Sequence, residues 1–131
     1  MANGMQTYRG ACHCGRISFE AKANLTSVTE CNCSICRMKG ALWHRATEAD
    51  LRILSGEADL TLYQFNTKTA KHYFCRHCGI HVLSRPRLDP SLWVFNVRCV
   101  EGVDLASLER RSFDGQNWEA SAKAFRERLK T

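Results

Sequence analysis

Three short runs of the chain carry residues that hold metals: Cys12-His13-Cys14, Cys31-Asn32-Cys33-Ser34-Ile35-Cys36 and Cys75-Arg76-His77-Cys78. They take seven of the eight cysteines. A tetrahedral zinc wants four soft or borderline ligands, and a tight turn aims the two thiolates of a short-range pair at one point. Gly15 and Gly79 directly follow two of the runs. Glycine there permits a positive φ, so its amide N–H can point towards a sulfur. Two pairs make a closed four-cysteine site with no position left for a substrate. Three cysteines alone leave one position open, the pattern of a catalytic zinc. On that count Cys12, Cys14, Cys75 and Cys78 are assigned to one metal, and Cys31, Cys33 and Cys36 to a second. Spacing does not force this partition. A terminal pair could join two cysteines of the middle run, and Cys99 or a histidine could close the second site.

Around these runs the other polar candidates are fewer. Arg37, Lys39 and Arg45 follow the middle run and would suit a carboxylate-bearing substrate beside the metal. His13 and His77 read as exposed turn residues, and His44, His72 and His81 as structural histidines on strands. Cys99 ends an apolar strand and reads as a small buried residue. No phosphate-cradling glycine loop, dinucleotide fingerprint, nucleophile elbow or HExxH motif occurs.

The elements that must position these groups are mostly strands. Period-two patterning marks Arg16 to Ala21, with Ile17, Phe19 and Ala21 on one face. Strand formers are dense at Leu60–Phe65, Ala70–Phe74, Ile80–Leu83 and Leu92–Val97, with shorter candidates at Val28–Cys31, Leu42–Ala46 and Leu51–Leu54. Turn signals at Ser55-Gly56, Asn66-Thr67 and Leu88-Asp89-Pro90 separate them. Short strands so spaced predict antiparallel sheets. A helical turn is expected at Leu105–Arg110. At the C-terminus Trp118, Ala122, Phe125 and Leu129 recur at helical spacing. They predict an amphipathic helix over about 117–130, N-capped by Asn117, whose apolar stripe closes over a sheet.

At 131 residues the length suits one domain, and 44% hydrophobic with 9% aromatic residues argues against disorder. No apolar run approaches the roughly 20 residues needed to cross a bilayer. The start, MANGMQTYRG, lacks the basic-then-apolar design of an export signal, so a reducing, cytoplasmic setting is expected. There, clustered cysteines more often hold metal than form disulfides. The formal charge of +6 describes the metal-free chain. Seven thiolates and two dications together remove three charges and leave +3.

The motifs also resemble a known family. Tyr8-Arg9-Gly10-Ala11-Cys12-His13-Cys14-Gly15 with Ile17-Ser18-Phe19 is similar to the opening of the glutathione-dependent formaldehyde-activating enzyme family, which also includes centromere protein V. Cys31 to Arg37 with Gly40 resembles its second motif, and Phe74 to Ile80 its third. Phe113-Asp114-Gly115-Gln116-Asn117-Trp118 resembles its C-terminal end. The resemblance implies a mainly β fold, the β-tent. In it antiparallel sheets gather around zinc within one domain spanning 1–131, with its core at 8–118. It implies two Zn2+ per chain: a structural zinc on Cys12, Cys14, Cys75 and Cys78, and a catalytic zinc on Cys31, Cys33 and Cys36. The implied reaction is a carbon–sulfur lyase activity, the reversible condensation of glutathione with formaldehyde to S-(hydroxymethyl)glutathione. Its partners are a small-molecule thiol and aldehyde, with Arg37, Lys39 and Arg45 at hand for the tripeptide's carboxylates.

Three other readings compete. One is a non-catalytic zinc module that binds a partner. A second is a sulfoxide-reducing role with Cys99 as nucleophile. A third, nucleic-acid binding, is opposed by the scattered basic residues, since Glu119 and Glu127 interleave the cations of the last helix. No membrane partner is expected.

Overall fold

A computed structural model describes residues 4–65 and 67–129, and of Arg128 and Leu129 only the backbone. Asn66, Lys130 and the Leu129 side chain, expected in a turn, at the helix end and in its apolar stripe, lie outside the described residues. The first half of the chain forms β1 (Gln6–Ala11), β2 (Ser18–Ala23), β3 (Ser27–Cys31), α1 (Ser34–Lys39), β4 (Trp43–Ala46) and β5 (Leu51–Ser55). The second half forms β6 (Leu60–Tyr63), β7 (Lys71–Cys75), β8 (His81–Arg85), β9 (Trp93–Asn96), β10 (Glu109–Phe113) and α2 (Trp118–Leu129). The fold is mainly β in two sheets, ordered β1-β2-β5 and β10-β3-β4-β9-β8-β7-β6.

Strand patterning places the core between the sheets. Along β2 and the residue before it, Ile17, Phe19, Ala21 and Ala23 are buried, while Ser18, Glu20 and Lys22 alternate outward. Phe19 packs on Phe95 of β9 with ring centroids 5.8 Å apart, among Leu42, Leu83 and Val97. β8 is buried along four consecutive residues, His81 to Ser84, so both of its faces are covered and two polar side chains are buried with Val82 and Leu83. Asn96 cross-links this region. Its buried side chain accepts from the amides of Leu42 and Arg98 (3.3 and 3.1 Å) and donates to the His81 carbonyl (2.9 Å).

Three elements differ from the sequence expectation. β1 and α1 carry no period long enough to read, six residues each. The expected helical turn at Leu105–Arg110 is only a 3-10 turn at Leu105–Ser107, and the chain then extends as β10. β10 pairs in parallel with β3, which departs from an all-antiparallel scheme. Its Glu109-Arg110-Arg111-Ser112 run is exposed and charged, as edge strands often are, so its strand state comes from its neighbour. α2 begins at Trp118 after a 3-10 turn, and the Asn117 amide donates to the Asp114 carboxylate (2.9 Å). Ala122 is buried, Phe125 meets Phe113 of β10 edge-on at 6.3 Å, and Trp118 lies 3.7 Å beneath the Arg87 guanidinium. The helix thus packs where its apolar stripe predicts.

Candidate metal centre

The turns joining β1 to β2 and β7 to β8 bring the two cysteine pairs together. In each, the first cysteine bonds across the turn: Cys12 N–H to Ile17 O and Cys75 N–H to Ile80 O, both 3.0 Å. Gly15 and Gly79 adopt φ of 82° and 79°, as expected. Their amides, however, donate to the Cys12 and Cys75 carbonyls (3.1 and 2.8 Å), and other amides serve the sulfurs. Ile17 N–H donates to Cys12 Sγ at 3.4 Å, and those of His77 and Cys78 to Cys75 Sγ at 3.3 and 3.5 Å. Cys14 Sγ lies 3.6 Å from both Cys12 Sγ and Cys75 Sγ, and all four sulfurs fall within 4.8 Å of one another. A tetrahedron of Zn–S bonds has edges of about 3.8 Å. At 3.6 Å the sulfurs are also too far apart for a disulfide.

Electrostatics divide this group, favouring the thiolate at Cys14 and Cys78 and opposing it at Cys75. Burial pushes the Cys75 thiol up to about 11, against the amides that point at it. Cys78 comes down to about 6 despite burial, through hydrogen bonds around Cys14, Ile80, Cys75 and Cys12. The Arg16 backbone and then its guanidinium hold Cys14 low.

The second group is built on one short element. Cys31 ends β3, Cys33 precedes α1, and Cys36 is buried within it; the three sulfurs lie within 4.8 Å. The thiols of Cys31 and Cys36 bond to Cys33 and drive it down to about 2, while Cys33 holds Cys31 high and Cys31 and Cys33 together hold Cys36 high. Three sulfurs so close cannot all ionise unless a cation joins them, so the donor set fits a bound divalent metal. No fourth His, Cys, Asp or Glu joins this group among the described residues. Asn32 fastens the loop from outside: its N–H bonds to Phe113 O (3.2 Å), and Gln116 donates to Asn32 Oδ1 and O (3.2 and 3.0 Å). Gly115 seals it, since a Cβ there would lie 2.6 Å from Cys33 Cβ and 2.7 Å from Cys31 Sγ.

Of the alternatives left open by spacing, the structure keeps the first partition. Cys99, in a 3-10 turn over Val97–Cys99, belongs to neither group, and the charges of Cys12 and Cys78 reach it. Burial, then those charges, push its thiol up to about 12, which argues against a nucleophilic Cys99. The three basic candidates are separated. Arg37 lines a cavity of about 300 Å³ with Cys31, Cys36, Glu30, Phe113 and Asp114. Lys39 lines a second cavity of about 290 Å³ with Ile35, Tyr63, His72, Phe74 and His81. Arg45 is exposed on β4 and lines neither.

His13 is exposed, and His77 bonds Asp59 at 3.0 Å, beside Arg76. His44 bonds the Arg45 carbonyl at 2.9 Å. His72 and His81 feel the charge of Cys33, a proximity that their spacing does not reveal. No helix among the described residues is long and apolar enough to cross a membrane.

Comparison with known proteins adds the last observation: the family model for glutathione-dependent formaldehyde-activating enzymes matches residues 7–119. The chain belongs to that family. The crystal structure of a Rhodobacter sphaeroides protein is 40% identical, with a TM-score of 0.72 over 79% of this chain and 99% of that one. The family match spans both cysteine groups and the Asp114–Gln116 turn, and the expected resemblance holds over its whole length.

Proposed function

We propose that the protein is a zinc-dependent carbon–sulfur lyase that condenses a thiol, glutathione or a relative, with formaldehyde or another small aldehyde. One observation carries this reading: three converging cysteines with no fourth His, Cys, Asp or Glu ligand among the described residues, in a chain that also holds a closed group of four. In it, Cys12, Cys14, Cys75 and Cys78 hold a structural zinc, and Cys31, Cys33 and Cys36 hold a second zinc with a position free for substrate. A zinc there lowers the pKa of a substrate thiol and keeps it ionised near neutral pH. The chain's own residues do the rest. The cavity beside Cys31 and Cys36 offers Arg37 as cation and Glu30 and Asp114 as anions. That mixture suits a zwitterionic peptide with two carboxylates and an ammonium. Lys39 supplies positive charge to the second cavity, and Arg45 stands apart on β4. Eight free thiols suit a reducing, cytoplasmic setting.

The test is metal content and thiol binding, by elemental analysis and calorimetry, in wild type and Cys33→Ala. Wild type should carry two zincs per chain, bind glutathione and speed adduct formation from 13C-formaldehyde. The variant should keep one zinc and lose both other properties. A wild type that holds zinc yet neither binds a thiol nor accelerates the adduct would instead indicate a non-catalytic zinc module. Salt-sensitive nucleic-acid binding would overturn both readings.

A further inference from the structure

The second cavity has an unusual floor. His72 of β7 and Ser84 of β8 are register partners, and so are Tyr63 and His72, Thr61 and Phe74, and Phe74 and His81. Residues three apart on a regular strand face opposite ways, yet His81 and Ser84 share a face. The pairing explains this: β8 has one extra residue, Val82, opposite the Tyr73/Phe74 step, and that bulge rotates His81 into line. Tyr63, His72, Phe74 and His81 therefore present together to Ile35 and Lys39 of α1. Ile35 and Lys39 lie on a different face of that helix from Cys36, Arg37 and Gly40, which line the other cavity.

Within this face runs a buried chain of hydrogen bonds. His81 Nε2 meets Ser84 Oγ at 2.7 Å, and Ser84 Oγ meets His72 Nδ1 at 3.4 Å. Ser84 is 3% exposed, His81 4% and His72 8%. The remaining ring nitrogens, His72 Nε2 and His81 Nδ1, are buried with no hydrogen-bond partner. A buried imidazole nitrogen without a partner costs stability, so two beside one cavity call for an explanation.

The valences of the chain supply one. The hydroxyl has one proton and must donate to one ring and accept from the other. If it donates to His72 Nδ1, both neutral rings carry their proton on Nε2. His72 Nε2 is then a free donor and His81 Nδ1 a free acceptor. If it donates to His81 Nε2, both rings carry the proton on Nδ1, and the free atoms exchange roles. A proton taken up at one free nitrogen and released at the other converts one arrangement into the other, with no charged ring left behind. Burial keeps both rings neutral, against the nearby charge of Cys33 and with that of Lys39.

We propose that His72, Ser84 and His81 form a proton relay that serves the aldehyde in this cavity, while the peptide of the thiol occupies the cavity beside Cys31 and Cys36 on the other face of α1. The inference rests on the thiol–aldehyde reading. There the thiol loses its proton, the sulfur pair forms the C–S bond to the carbonyl carbon, and the C=O π pair moves to oxygen. The oxygen takes up one proton. The reaction thus has no net proton exchange with water, and a relay with one acceptor end and one donor end matches it. The opposite tautomeric arrangement runs the reverse reaction.

The experiment compares wild type, Ser84→Ala and Ser84→Thr, each loaded with zinc. Ser84→Ala should lower kcat for adduct formation at least about tenfold, with zinc content and thiol affinity unchanged. Ser84→Thr, which keeps the hydroxyl, should recover most of that loss. Imidazole 15N spectra, which need no variant, should place His72 and His81 of wild type in the same tautomer, or exchanging together between both. Different tautomers on the two rings, or cationic rings at neutral pH, overturn the relay. So does an active, folded Ser84→Ala protein with wild-type kcat. A wild type that forms no thiol–aldehyde adduct removes the parent reading and the relay with it, which separates the two failures.

Discussion

Gly115 shows how little room the second cysteine group leaves. A methyl group there must enter space held by Cys33 Cβ and Cys31 Sγ, one a backbone-anchored atom and the other a sulfur of the three-cysteine group. On the two-zinc proposal, Gly115→Ala is expected to cost the three-cysteine group its metal while the four-cysteine group keeps its own, a one-metal result checked by elemental analysis. Cys99 makes the converse case. With its thiol raised to about 12, thiolate is scarce near neutrality, so alkylation by iodoacetamide should climb about tenfold per pH unit from 8 to 11. Cys99 is half-buried, not fully buried as its place in the sequence suggests, and rapid labelling at pH 7, read by mass spectrometry, would contradict its raised thiol. The cysteine spacing made the three candidate runs legible, though not which of them would meet. The contact of Gly115 with them was not, because it joins positions more than eighty residues apart.

At the scale of elements, the ties between strands decide where the site sits. Asn96 holds the segment before β4 and the start of β8 to β9 through two buried hydrogen bonds, and caps the turn after β9 through a third, part-buried one. Asn96→Ala strands two amides and a carbonyl, and should lower stability by about 2–3 kcal/mol in urea denaturation. α2 depends on docking in the same way, since twelve residues form a marginal helix alone. Its hold on the site runs through Ser121 Oγ, which donates to the Asp114 carbonyl at 2.8 Å, and through Trp118 under Arg87. Trp118→Ala should speed amide hydrogen exchange at Asp114–Gln116 well before it unfolds the sheets. The helical spacing of Trp118, Ala122 and Phe125 announced this element. Nothing in Glu109–Phe113 announced the strand beside it, because charged edge residues extend only when a neighbour offers its ladder.

For the whole molecule, burial of His81 sets a dependence on acid. Burial, then the neighbouring charges of His72 and Lys39, hold its imidazole down to about 3, against about 6.5 in the unfolded chain. Between those values the unfolded state binds the extra proton, so stability rises with pH up to about 6.5 and falls below it. At pH 5 the penalty is on the order of 2 kcal/mol. The urea midpoint should therefore drop between pH 7 and pH 5, and drop less in His81→Asn, which has no ring to protonate. An equal drop in both proteins would assign the acid sensitivity to other groups.

The amino-acid sequence by itself determined the candidate metal-binding cysteines and the sheet-forming strands, because both are local. Thiolates at turn spacing, glycines beside two of the pairs and alternating apolar residues act over a few positions. Tertiary structure alone decided the rest. It chose which cysteine pairs meet, split Arg37 from Lys39 onto different faces of one helix, and left Cys99 outside both groups. It also turned His81 towards Ser84 through a single bulged residue. These outcomes depend on register and on which strands become neighbours, and pairing between distant segments sets both.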